Sequence, residues 1–174
     1  ALDSWYGNVR LAIYAVPEQN PPGPDPGQVH LETPLVDGET GDKIILLGCS
    51  GLDGQRAAGD IAPITLFWRV DQTPSRRYSV FLHVLDKARN IVGQRDSEPG
   101  GGAHLTTLWT PGETVTDNYG VPIHPATPPG EYRVELGMYD AGTGRRLVTL
   151  DGEEQMWLEP LTVTRLAAPA PLEA

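Results

Sequence analysis

Prolines and glycines recur along the whole chain and constrain its fold more than any other feature. Seventeen prolines and twenty glycines in 174 residues leave few windows in which a helix could run for ten residues. Proline removes a backbone donor and clashes with the preceding helical turn, and glycine is costly in a helix interior. The sequence therefore predicts an all-β fold with little or no helix.

Alternating apolar residues support the same prediction. In segments 64–70 and 132–138, every second residue is apolar, which gives each predicted strand one face for a core and one for water. Segment 78–85 is apolar on both faces and is expected to be a central strand covered on both sides. Further strands are predicted at 9–16, 43–49, 91–95, 114–123, 147–150 and 158–164.

Turn signals separate these segments. Asp37-Gly38, Asp53-Gly54 and Asp151-Gly152 favour a positive φ, and segments 86–90 and 140–144 suit hairpin loops. Many short strands with regular punctuation are typical of an antiparallel two-sheet β-sandwich, either immunoglobulin-like or jelly-roll-like. Its core is expected to include Trp68, Val80, Leu82, Leu136 and Met138.

The length of the chain suits one domain with appendages. We expect an N-terminal strand and Pro-rich linker at 1–28, the β-sandwich at 29–166 and a C-terminal tail at 167–174. Two alternatives stay open for residues 5–16, which belong either to this sandwich or to a neighbouring domain. Because the chain begins with Ala1 rather than Met, we expect it to be part of a longer protein.

The charge excludes several classes of partner. A net charge of -10 and a pI near 4.7 argue against nucleic acid, which is bound mainly through Lys and Arg on phosphate. They argue equally against direct binding to an anionic membrane surface. No apolar run approaches the roughly 20 residues of a membrane-spanning helix, so a membrane is expected only through upstream segments.

The single cysteine, Cys49, excludes an intrachain disulfide and a cysteine-rich metal site. It ends the apolar run 43–49 with no cationic neighbour, so we expect a buried and unreactive thiol. Gly48-Cys49-Ser50-Gly51 resembles a nucleophile turn only superficially, since the strand-turn-helix context is missing. We expect no catalytic residue and no cofactor in this chain.

The four histidines lack metal-ligand spacing. His83 is either a ligand or general base, or a half-buried imidazole bonded to its neighbours, and ordinary burial favours the second interpretation. Two acidic loops offer oxygen atoms of the kind that calcium prefers. Their members are Asp37, Glu39 and Asp42 in one loop, and Asp151, Glu153 and Glu154 in the other. In so acidic a chain we expect these loops to be solvated rather than metal-bound.

A polar ligand surface is predicted around Trp109. This ring either plugs the end of the sandwich, which burial of a large aromatic favours, or presents its face to solvent, where aromatic planes can pack on sugars. In the second case Trp109, Tyr119, His104 and Asn118 would form a glycan-binding surface, with an apolar platform and a few polar groups.

Three phrases together resemble one family. They are LFWRVDQTPSRRYSVFLHVLD at 66–86, LWTPGETVTDNYGVPI at 108–123 and PPGEYRVELGMYDAGTGRRL at 128–147. They are similar to the C-terminal extracytoplasmic β-sandwich domain of bacterial polytopic membrane proteins that resemble dolichyl-phosphate-mannose protein mannosyltransferases. The resemblance covers residues 43–163.

The resemblance implies a non-catalytic accessory domain on the outer face of a bacterial membrane, in contact with a glycan or an acceptor protein. The catalytic carboxylate of such an enzyme would lie upstream of this segment. Two alternatives remain, an immunoglobulin-like module for protein interaction or adhesion, and a free-standing hydrolase of sandwich fold. The hydrolase is disfavoured because no paired acid and base stand out.

Overall fold

A computed structural model describes the backbone of residues 2–6, 9–13 and 29–165, and the side chains of residues 31–165. These residues contain no α-helix, and none of their helices is long and apolar enough to cross a membrane. The strands are β1 (Leu2–Tyr6), β2 (Val9–Ile13), β3 (Val29–Val36), β4 (Lys43–Ser50), β5 (Gln55–Ala57), β6 (Ile61–Val70), β7 (Tyr78–Leu85), β8 (Ile91–Ser97), β9 (Thr114–Pro122), β10 (Gly130–Asp140), β11 (Val148–Thr149) and β12 (Met156–Thr164). Two short 3₁₀ helices, Pro99–Gly102 and Thr106–Leu108, lie between β8 and β9.

Ten of the strands form two packed five-stranded sheets. Sheet I has the order β11-β3-β4-β6-β9, and sheet II has the order β5-β12-β10-β7-β8. Neighbouring strands are antiparallel except β5 and β12, which run parallel. The predicted all-β, mostly antiparallel two-sheet sandwich is confirmed.

The N-terminal strands pair with each other. Residues Leu2 to Tyr6 of β1 lie antiparallel to β2, with Leu2 opposite Ile13. The predicted strand 9–16 is thus observed as β2 over Val9–Ile13, while residues 14–16 and the tail 167–174 lie outside the described residues. The proposed limits of the sandwich at 29 and 166 stay a prediction.

The core lies between the two sheets, because every second side chain of the strands points toward the opposite sheet. Along β6, the side chains of Ala62, Ile64, Leu66, Trp68 and Val70 are buried and those between them are not. The same alternation in β7 and β10 aims their inward residues at this cluster. All five predicted core residues have no exposed surface and are confirmed.

Aspartates at strand ends hold three of the turns. Asp37, Asp86 and Asp140 each follow or end a strand, and each accepts a hydrogen bond from the backbone N–H two residues further on, at 2.7 to 2.8 Å. A short carboxylate side chain can bond its own loop in this way, which is why aspartate is common in turns. The predicted loops 86–90 and 140–144 are both built on this contact.

The sequence analysis did not predict strand β3, because the strand contains residues and a conformation that are unusual in strands. Pro34 lies inside the strand, and Glu32 has a positive φ of 45° beside a register shift between His30 and Thr33. A proline in an apolar run argues against a central strand. Strand β3 lies between β4 and β11. Pro34 is tolerated there because β11 pairs only with Leu35 and Val36, so Pro34 has no partner in β11.

Candidate functional site

The face of sheet II that is turned away from sheet I carries an unusual set of side chains. Alternation sends Leu82 and Leu136 into the core, so residues one position away in β7 and β10 point outward. The register then aligns His83 with Glu135 and Glu135 with Trp157. We call this surface the outer face of sheet II. Its members are Phe81, His83, Asp96, Arg133, Glu135, Tyr139, Arg146 and Trp157.

Arg133 and Trp157 form a stacked pair across β10 and β12. The guanidinium carbon lies 3.5 Å from the centroid of the indole ring. Arg133 is exposed and Trp157 is half-buried. A guanidinium that lies over an aromatic ring is restrained in position by the cation–π contact, and this contact does not use its N–H donors. The pair therefore presents donors to a ligand at a fixed place.

Arg146 covers Phe81 in a second stack. Its guanidinium carbon lies 4.4 Å from the ring centroid, and the ring of Tyr139 stacks beside Phe81 at 6.5 Å. Phe81 lies over Gly137, where any side chain would overlap the ring. Arg146 reaches this point because the chain turns back after β10 and pairs with Tyr139. Phe81 is consequently only 1% exposed, which confirms that β7 is covered on both faces.

His83 lies between two carboxylates. Its Nδ1 is 3.2 Å from Glu135 Oε2 on β10, and its Nε2 is 3.2 Å from Asp96 Oδ1 on β8. The imidazole is half-buried and packs against Phe81 at 5.1 Å. The prediction of a half-buried imidazole that bonds its neighbours is confirmed. His83 thereby joins the three strands β8, β7 and β10 and holds both carboxylates toward itself.

The predicted surface around Trp109 is corrected. Trp109 is 4% exposed and donates from Nε1 to the carbonyl oxygen of His104 at 3.0 Å, and Tyr119 is 5% exposed. Both rings pack in the core, so neither can offer a face to a sugar. Burial of Trp109, the alternative favoured for a large aromatic, is thus observed, and the predicted glycan-binding surface is wrong.

The polar partners predicted for that surface do not meet there either. Asn118 precedes Tyr119 in β9, so its side chain lies on the opposite face of the strand. It is exposed and accepts a hydrogen bond from Thr65 Oγ1 at 2.8 Å. His104 is exposed in the loop before β9. Trp109 contacts the backbone of His104, but the four side chains do not form one exposed surface.

A buried carboxyl group lies next to Tyr119 instead. Asp117 is 1% exposed and accepts hydrogen bonds from the Tyr119 hydroxyl at 2.6 Å and the Gly100 N–H at 2.9 Å. Burial raises the pKa of Asp117 above its ordinary value, despite these donors. Asp117 contributes to a polar contact inside the core and not to an accessible site.

The first acidic loop is occupied by protein donors. The Tyr78 hydroxyl lies 2.8 Å from a carboxylate oxygen of both Asp37 and Asp42. Glu39 forms ion pairs of 2.8 Å with Arg76 and Arg145. These carboxylates are thus satisfied within the protein, which explains their clustering without a bound cation.

The second acidic loop does not form a cluster. Asp151, Glu153 and Glu154 are all exposed. Among the side chains that the structure describes, no group of three or more His, Cys, Asp or Glu is arranged to hold a metal ion. The candidate calcium ligands are therefore not brought together in this part of the chain.

Cys49 is buried, as predicted, with 1% exposure. Burial raises the pKa of its thiol to about 11, with a smaller contribution from the negative charge of Glu159. The thiol borders a cavity of about 330 Å³ whose lining also includes Asp53 and Thr162. A thiol with so high a pKa carries almost no thiolate at neutral pH and is a poor nucleophile.

Comparison of the sequence with protein-family models and with curated proteins finds no match.

Proposed function

We propose that this chain is a non-catalytic accessory domain of a membrane-bound glycosyltransferase-like protein. In this proposal it lies on the outer face of a bacterial membrane and contacts a glycan or the acceptor. The proposed contact is based on the composition of the outer face of sheet II. It combines half-buried aromatic rings, outward guanidinium groups and carboxylates, which is the mixture that polar ligands require.

The family resemblance supports the setting. Its three phrases contain the end of β6 and all of β7, β9 and β10, together with the loops next to these strands. They therefore include framework residues, such as Trp68 and the outward residues of β7 and β10, as well as turn residues.

An immunoglobulin-like module for protein interaction or adhesion is the second candidate. The observation in its favour is the exposure of two apolar loop residues, Leu108 at 72% and Leu150 at 76%. Such side chains suit a protein partner, although single exposed apolar residues are common. We do not propose a hydrolase, because Cys49 lies in the core while His83 lies across sheet II on its outer face.

Ligand titration tests the proposed contact. Backbone amide resonances of the 174-residue chain are followed while a panel of neutral and charged oligosaccharides is added. We expect shifts in β7, β10 and β12 around Trp157 and Tyr139, with weak affinity in the range of about 10 μM to 1 mM. Absence of any shift with the whole panel contradicts glycan contact and leaves the protein-interaction module as the better interpretation.

A reporter fusion tests the proposed location separately. Alkaline phosphatase, which is active only outside the bacterial cytoplasm, is joined to the end of this segment in the natural gene. We expect phosphatase activity in whole cells. If alkaline phosphatase is inactive at this position, and a reporter that works only in the cytoplasm is active there, the extracytoplasmic location is wrong. This outcome does not depend on the titration.

A further inference from the structure

We propose that the outer face of sheet II binds an acidic oligosaccharide, whose carboxylate groups pair with Arg133 and Arg146. This inference rests on the proposed glycan contact and assigns the chemical class of the ligand. It follows from the distribution of charge on this face, from the aromatic rings that hold the two guanidinium groups, and from the spacing between them.

The charges on this face are divided unequally. Two of its carboxylates, Glu135 and Asp96, both contact His83. Arg133 and Arg146 have no carboxylate within ion-pair distance among the side chains that the structure describes. The face therefore carries two acidic groups that are joined through an imidazole and two basic groups that no acid among the described side chains engages.

Several other arginines of this acidic chain are paired with carboxylates. The net charge is -10, and the arginines at one end of the sandwich have acidic neighbours. Arg76 pairs with Glu39 and Asp140, and Arg77 pairs with Glu98 through two nitrogens. In an excess of acid, two guanidiniums that pair only with aromatic rings are the groups best suited to an external anion.

The stacks also fix the position of the two cations. Trp157 lies on β12 and Phe81 on β7, which flank β10 on its two sides. Their partners on β10 are Glu135 and Gly137, two residues apart. Strand spacing of about 4.8 Å and a rise of about 3.3 Å per residue place the two stacked groups on the order of 10 Å apart. One carboxylate cannot meet both, so the geometry suits acidic groups on separate units of a chain.

The residues between the two arginines suit a sugar. Tyr139 is half-buried and offers an apolar ring with a polar hydroxyl at its edge, while the ring of Trp157 holds Arg133 in place. Glu135 and His83 lie between them and can accept or donate hydrogen bonds. Sugar hydroxyl groups need both kinds of partner, whereas an acidic peptide or a lipid headgroup would need only the cations.

The test compares two tetrasaccharides that differ in charge. Tetragalacturonate carries four carboxylates, and mannotetraose carries none. Isothermal titration of the 174-residue chain is expected to show binding of tetragalacturonate at least about tenfold tighter than that of mannotetraose. Raising the salt concentration from about 50 mM to about 300 mM should lower the affinity for tetragalacturonate and leave the affinity for mannotetraose unchanged.

Two substitutions locate the interaction. Arg133→Gln and Arg146→Gln should each weaken tetragalacturonate binding by about three- to tenfold, since each removes one charge-assisted contact. Lys87→Gln is the matched control, because it removes an exposed loop cation and changes the net charge equally. It should leave the affinity unchanged. Unaltered amide spectra outside the outer face establish that each variant keeps the fold.

The outcomes are distinguishable. If both tetrasaccharides bind equally tightly and without salt dependence, the proposal of an acidic ligand is wrong, while the proposed glycan contact is supported. Binding of neither overturns both proposals. An aspartate-rich octapeptide, or vesicles that contain phosphatidylglycerol, serves as a competing probe in the same titration. If either probe binds through Arg133 and Arg146 as tightly as tetragalacturonate, the assignment to a sugar is wrong.

Discussion

Two buried aspartates of this protein, Asp37 and Asp117, each contact a tyrosine hydroxyl but hold their charge differently. Asp37 is 3% exposed, and burial alone would raise its pKa. The N–H groups of Glu39 and Thr40, the Tyr78 hydroxyl and the charge of Arg76 outweigh burial, so the pKa of Asp37 lies below its ordinary value. The loop around Asp37 therefore stabilises a carboxylate ion.

Asp117 is 1% exposed. It accepts hydrogen bonds from the Tyr119 hydroxyl and the Gly100 N–H, and the indole of Trp68 lies beside it. Burial is the largest influence here, and the pKa of Asp117 is raised. Asp117 lies deeper inside the protein than Asp37, and Asp37 has Arg76 nearby, so depth of burial together with the surrounding donors and charges gives the two pKa values their opposite directions.

Replacing the apolar wall of the Asp117 site has the largest expected effect. Trp68 has no exposed surface, and Trp68→Ala should lower the free energy of unfolding by about 3–5 kcal/mol through the cavity that it leaves. The matched control is Trp157→Ala on the half-exposed outer face, with an expected loss of about 1 kcal/mol or less. Urea unfolding measures both. Similar losses for the two tryptophans would contradict the assigned faces.

Asparagine substitution sharpens the comparison of the two aspartates. Asp37→Asn keeps the shape but loses the charge that three donors and Arg76 favour, so we expect a loss of about 1–3 kcal/mol at pH 7. Asp117→Asn removes a charge that burial disfavours at this site, and should change stability by less than about 1 kcal/mol.

Denaturant unfolding of both variants against the unmodified chain checks this pair. The test depends on the difference between the free energies of unfolding lost by Asp37→Asn and by Asp117→Asn more than on either loss alone. If Asp117→Asn proves the more destabilising substitution, the carboxylate at that site is stabilised in its ionised form and our account of the two sites is reversed.

Much of the fold could be predicted because it depends on local alternation. The apolar registers of 64–70, 78–85 and 132–138 identified β6, β7 and β10 and the core residue Trp68. The burial of Cys49 followed from its place in an apolar run. Strand β5 was missed because three residues cannot show a period.

The candidate site could not be predicted in the same way. Its stacked pairs join residues that are distant along the chain, such as Phe81 with Arg146 and Arg133 with Trp157, and only the strand order brings them together. The sequence signal that was present is Gly137 within an otherwise regular strand. A glycine there marks a close approach, in this case of the Phe81 ring.

The dependence of stability on pH is the smallest expected effect and the most direct test of the comparison. The folded-state pKa of Asp37 lies below its ordinary 3.8, so its contribution is present above that value and is lost as the pH falls through the folded pKa. The folded-state pKa of Asp117 lies above 3.8, so its contribution is present below that value and is lost as the pH rises through the folded pKa.

Unfolding by urea between about pH 3 and pH 7 measures both contributions as differences from the asparagine variants. The advantage of the unmodified chain over Asp37→Asn should shrink toward acid pH. Its advantage over Asp117→Asn should shrink, or become a disadvantage, toward neutral pH. The two difference curves are expected to slope in opposite directions, because one site favours the ion and the other the neutral acid. Parallel curves would mean that burial alone governs both carboxyl groups and that the donors around Asp37 do not offset it.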